Sequence, residues 1–142
     1  MNLRRPPALF LATLLSLSSC QWAGDTKAAR VPFSDLKQRV SDAHSSITSA
    51  VRESAFDRVP DLDRALNAEL DAVTAQSGAI NLIDREHLAI NVATIHRCLT
   101  AMDQYAHSGD FEDLRAQMEQ LQPTITEILD LLDRAERTTT TK

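Results

Sequence analysis

The chain has three glycines in 142 residues, too few for a glycine-rich loop that cradles phosphate with backbone N–H groups. Only two cysteines are present, Cys20 and Cys98, so no framework of disulfides can hold the fold. Basic residues are outnumbered, 15 against 20 acidic, for a net charge of −5; that balance lacks the basic footprint of a nucleic-acid binder. No continuous apolar run reaches the 20 or so residues that a spanning helix needs. A Gly-x-Ser-x-Gly nucleophile elbow is missing, and no stretch alternates apolar and polar residues in the two-residue period of a strand. What remains is a chain of helical patterns behind an unusual beginning.

That beginning has the three parts of a secretory signal. Arg4 and Arg5 are basic, Ala8 to Leu17 carry no charge, and the small residues Ser18 and Ser19 follow. The ten-residue apolar stretch is too short to cross a hydrocarbon core of about 30 Å. Pro6-Pro7 after the paired arginines fits general secretion better than a twin-arginine signal. Leu17-Ser18-Ser19-Cys20 resembles the lipobox of bacterial lipoproteins. The resemblance implies a diacylglycerol thioether on Cys20, removal of residues 1–19, and acylation of the new amino terminus. Gln21 rather than Asp follows the cysteine, which resembles the pattern sorted to the outer membrane of Gram-negative bacteria. Two or more acyl chains, each buried methylene contributing about 0.8 kcal/mol, hold a protein firmly, and Trp22 is placed to rest its ring at the headgroup level. Cleavage removes two basic residues and no acidic one, so the mature chain is more acidic still. Residues 20–33 are expected to be a lipidated tether.

Residues 34–137 are expected to fold as an all-α, antiparallel up-down four-helix bundle. Ser34 is a candidate N-cap with Asp35 in the first turn, and Leu36, Val40, Ala43, Ile47 and Val51 form one stripe. Val59-Pro60 is expected to end that helix. Asp61 would cap a second helix with Leu62, Leu66, Leu70 and Val73, closed by Gly78 in a left-handed cap. Asp84 would cap the third, with Ile83 stapled to Leu88, and the stripe runs Leu88, Val92, Ile95, Leu99, Met102, Ala106. Cys98 shares that face and is expected to be a buried, inert thiol. The segment His107-Ser108-Gly109-Asp110 is a helix stop and a helix start. The last seam is Phe111, Leu114, Met118, Leu121, Ile125, Ile128, Leu132 and Ala135, interrupted by Pro123. Residues 138–142 are expected to be a flexible tail. Short connections favour antiparallel neighbours.

The candidate chemistry is thin. His96 and His107 are three helical turns apart, about 16 Å, and no histidine has a partner four positions away, so no metal site is expected. Paired acids such as Asp61 and Asp63, or Glu112 and Asp113, sit at helix starts, where the dipole favours negative charge. Gly109 to Leu121, notably Glu119-Gln120-Leu121, is similar to the last helix of the periplasmic four-helix-bundle b-type cytochromes. That family's axial histidine falls at about Leu129 here, the first helix has no methionine, and there is no Cys-x-x-Cys-His, so the likeness implies geometry without haem. A small lipoprotein ending in Lys142 resembles the murein lipoprotein, which implies a possible link to peptidoglycan.

The expectation is a non-enzymatic, cofactor-free lipoprotein, anchored to a membrane and facing the periplasm, that binds a protein partner and no nucleic acid. A helical bundle can hold a partner's helix or tail in a groove, in architectural analogy to the helical pilotins, though those carry a disulfide that is missing here. The alternatives are an immunity or exclusion inhibitor, for which an acidic surface would suit a basic target, and a ligand- or haem-binding bundle.

Overall fold

A computed structural model describes residues 30–140. Four helices make up nearly all of it: α1, Phe33–Arg52; α2, Val59–Ala75; α3, Leu82–Ser108; and α4, Phe111–Thr140. Short 3-10 turns at Phe56–Arg58 and Ser77–Ala79 join α1 to α2 and α2 to α3. The major contacts run α1 to α2, α2 to α3, α3 to α4 and α4 back to α1. The fold is thus the antiparallel four-helix bundle that short connections and apolar stripes dictate.

The core is one cluster fed by all four helices, and twelve of its larger side chains, among them Leu36, Ile47, Leu66, Leu70, Ile95, Leu99, Met102, Leu121 and Ile128, are sealed from solvent. Ion pairs lie across the rims of the helix contacts: Arg39 to Glu69 at 2.7 Å between α1 and α2, Lys37 to Asp133 at 2.6 Å between α1 and α4, and Arg134 to Asp84 at 3.1 Å between α3 and α4. Such exposed pairs are worth about 0–1 kcal/mol each, so apolar burial carries the stability.

The helix ends differ from the sequence expectations, each for a local reason. Phe33 does not belong to a tether: it is the first residue of α1 and is 2% exposed. The Pro32 carbonyl accepts from the N–H groups of Asp35 and Leu36 at 3.1 and 3.2 Å, and Ser34 is not the cap. Val59-Pro60 starts α2 instead of ending α1; α1 stops at Arg52, and Pro60 sits in the first turn of α2, where its missing N–H has no helical partner to lose. Asp61 is therefore inside that turn, paired with Arg64, and caps nothing.

Gly78 is not a left-handed cap either. Among the described residues only Ser54 and Gly109 have positive φ. The carbonyls of the α2–α3 connection are met by Arg85 instead, whose guanidinium donates to Ser77, Gly78 and Ile80 oxygens at 3.2, 3.4 and 3.1 Å. The N-cap of α3 is Asn81, not Asp84. Its Oδ1 accepts the Asp84 N–H at 3.0 Å, a side-chain cap on an open helix donor, while its Nδ2 donates to Asp84 Oδ2 at 2.6 Å. Ile83 makes no staple and is 68% exposed, whereas Ile80, just before the cap, is buried.

The stop-start at residues 107–110 is as expected: Gly109 adopts φ 83° and its N–H donates to the Tyr105 carbonyl at 2.9 Å. Only glycine enters that region without steric cost. Helix α4 passes through Pro123 unbroken. Pro123 and Glu119, whose carbonyl loses its helical donor there, are both on the exposed side, so water can replace the bond. The helix also runs on to Thr140 in place of a flexible tail from residue 138. The Thr138, Thr139 and Thr140 hydroxyls donate back to the Ala135 and Glu136 carbonyls at 2.8–2.9 Å, a second bond to acceptors of the last turns.

Candidate functional site

Helix α3 has two faces of unlike character. Leu88, Val92, Ile95, Leu99 and Met102 point into the core. On the outside, its first three turns expose Leu82, Ile83 and Ile90 at 66%, 68% and 62%. Ile83 and Ile90 are seven residues apart, so they share one helical stripe. Isolated exposed aliphatics are ordinary, but two on one stripe beside a groove mark a candidate contact surface.

Beside that stripe, α3 and α4 leave a groove of about 310 Å³. Ile90 forms part of its wall, with His87 and Asn91 from α3 and Glu127, Asp130 and Arg134 from α4; buried Leu131 is its apolar floor. Asn91 Nδ2 donates to Glu127 Oε2 at 3.0 Å across the groove. At one end Arg134 donates to Asp84 Oδ1 at 3.1 Å, and the hydrogen bonds from Arg134 and Asn81 hold the Asp84 carboxyl below its usual range. The charged rim is therefore positioned by helix-to-helix bonds, next to apolar side chains that are free to meet a partner.

A second polar region lies between α2 and α3. Asp63 is 3% exposed, and neither carboxylate oxygen has a hydrogen-bond partner. Its pKa is pushed up to about 7, by burial first and by the nearby charge of Asp103 second. Asp63 thus does not simply face solvent at a helix start, as the sequence suggested. It occupies a seam position, since Val59, Asp63, Leu66, Leu70 and Val73 are the buried residues of α2. The four- and three-residue steps of that series were available in the sequence, whereas Leu62, placed in the stripe there, is only half-buried. His44 is the same case in α1. It sits between Val40 and Ile47 at 8% exposure, Ala43 beside it is half-buried, and burial pushes the His44 pKa down.

The remaining candidates are dispersed. Cys98 is a free thiol, half-buried against the core rather than fully buried. Leu129, at the position of the cytochrome ligand, is partly buried against the core. His44, His87, His96 and His107 fall on different parts of the bundle, and no three His, Cys, Asp or Glu side chains converge as a metal site among the described residues. No described helix is long and apolar enough to cross a membrane. Cys20 and Lys142 lie outside the described residues. The chain matches no known family, no curated protein and no solved structure.

Proposed function

We propose that the chain is a lipid-anchored, periplasm-facing lipoprotein, most consistent with the outer membrane, that serves as a protein-binding or assembly module of the cell envelope. The anchor would be Cys20, in the lipobox-like Leu17-Ser18-Ser19-Cys20. The observation that carries the binding role is the exposed aliphatic stripe of Ile83 and Ile90, with Ile90 in the wall of the α3–α4 groove. A partner segment with an apolar face and basic flanks suits it, because Glu127 and Asp130 border the apolar residues and opposite charges steer association. Interfaces of this kind are held by a few buried apolar anchors.

Site-specific photo-crosslinking in intact cells tests the reading. A crosslinker at position 90 should give one discrete protein adduct, and Ile83→Asp should reduce its yield by ~10-fold or more, the loss expected of an anchor residue. A crosslinker at exposed Gln38 on α1 should give none. The same adduct from position 38, or insensitivity to Ile83→Asp, would remove this surface from the proposal. The acidic balance of the chain favours a second reading, an immunity or exclusion inhibitor. An adduct with a resident envelope protein supports the assembly role; one that forms only when a foreign effector is supplied supports the inhibitor.

A further inference from the structure

The cleft between α2 and α3, about 240 Å³, is lined by Pro60, Asp63 and Asn67 from one helix and Leu99, Thr100 and Asp103 from the other, with Arg64 at its edge. Its polar atoms are nearly all acceptors. Both oxygens of Asp63 and the Oδ1 of Asn67 are buried and have no hydrogen-bond partner. The Thr100 hydroxyl donates its proton to the His96 carbonyl at 2.8 Å, so toward the cleft its oxygen can only accept. Asp103 adds a second carboxylate, with His107 Nδ1 at 3.7 Å. Arg64, the basic side chain nearby, is turned outward to Asp61 and is 75% exposed.

A buried carboxylate without a donor is costly unless something supplies one. Two further facts restrict the supplier. Where Asp63 is ionised, a positively charged supplier is favoured, since Asp63 and Asp103 face one space and repel each other. It must also present several donors from one point, since three unpartnered acceptor atoms belong to residues one helical turn apart, Asp63 and Asn67. A primary ammonium has three N–H donors and no acceptor. A hard divalent cation instead takes six to eight oxygens or a rigid octahedron, and no cluster of three metal-ligating side chains is present among the described residues.

We propose that this cleft binds a primary ammonium group, held by Asp63, Asn67 and Asp103 between α2 and α3. The group would belong to a small aliphatic amine or to a lysine side chain of a partner protein. The site is on a different helix pair from the α3–α4 groove, so either proposal can fail without the other.

The test is titration of the whole protein, extracted in detergent from its own membrane, with n-butylammonium at about pH 8, where the Asp63 carboxylate is largely charged. Backbone amide NMR locates the response. Saturable shifts at Asp63, Asn67, Thr100 and Asp103 are expected. Both Asp63→Asn and Asp103→Asn should weaken binding by ~10-fold or more, as expected from loss of a charged hydrogen-bond partner. Tetramethylammonium, which has no N–H, should not compete. The source is distinguished by Nα-acetyl-lysine amide: tighter binding than n-butylammonium supports a partner lysine, and weaker binding supports a free amine. Absence of saturable binding, equal binding by tetramethylammonium, unchanged binding in Asp103→Asn, or tighter binding of calcium or methylguanidinium at these residues would overturn the proposal.

Discussion

Asp63 shows how one side chain can set the pH response of a small bundle. Its folded pKa of about 7 lies above the ordinary value of 3.8. The folded chain therefore keeps a proton between those values that the unfolded chain releases. The stability that this gives is fully present below about 3.8 and is lost as pH rises through about 7. Asp63→Asn removes the ionisable group, so above pH 7 the variant should be more stable than the parent by on the order of 1 kcal/mol or more, and melt at a higher temperature. Below about pH 3.8 the two should converge. Paired thermal melts across that range check this, and a constant difference at all pH values would mean that the carboxylate is not desolvated. His44 works in the opposite direction: its lowered pKa makes its contribution present above the ordinary range and lost on acidification. Neither group was recognised as buried from sequence, because a charged or polar residue type suggests a surface. Only the register of the surrounding Val59, Leu66 and Leu70, or Val40 and Ile47, pointed inward.

At the scale of the element, apolar spacing was a dependable guide and end signals were not. Leu88, Val92, Ile95, Leu99 and Met102, named from their steps of four and three, are all buried. Leu99 is 1% exposed, so Leu99→Ala should destabilise the bundle by about 2–5 kcal/mol through lost burial and a residual cavity. Chemical denaturation measures it; an unchanged midpoint would place the seam of α3 on another face. The ends failed where two readings of one residue compete. Pro60 can follow a helix or sit in its first turn, and only the position of Val59 in the core resolved it. Gly78 was a plausible cap by type, but Arg85 satisfies the loop carbonyls from eight residues away, a contact that a local window does not contain. The run of threonines at 138–140 suggested a frayed tail on propensity, yet α4 continues through them and their hydroxyls bond back to carbonyls of the preceding turn.

At the scale of the molecule, two sites along α3 serve different proposals, the α3–α4 groove with exposed Ile90 in its wall and the α2–α3 cleft with the unpartnered acceptors of Asp63 and Asn67. The anchor is independent of both. Cys20→Ala should abolish acylation and release the protein from the membrane fraction, while the melting curve of the bundle stays unchanged, because Cys20 precedes the first helix at Phe33. Metabolic labelling with a radioactive fatty acid and fractionation measure it; continued acylation and full membrane retention would defeat the lipoprotein reading. The sequence by itself determined the helical class, the four elements and the apolar face of each, since those follow from the 3.6-residue period and from hydrophobic burial, which act within a single segment. The tertiary structure alone decided which polar residues lie between helices, how the loop carbonyls are satisfied, and where α3 and α4 leave a groove. Those depend on which surfaces meet, and neither Asp63 beside Asp103 nor Asn91 bonded to Glu127 can be specified before two helices are placed side by side.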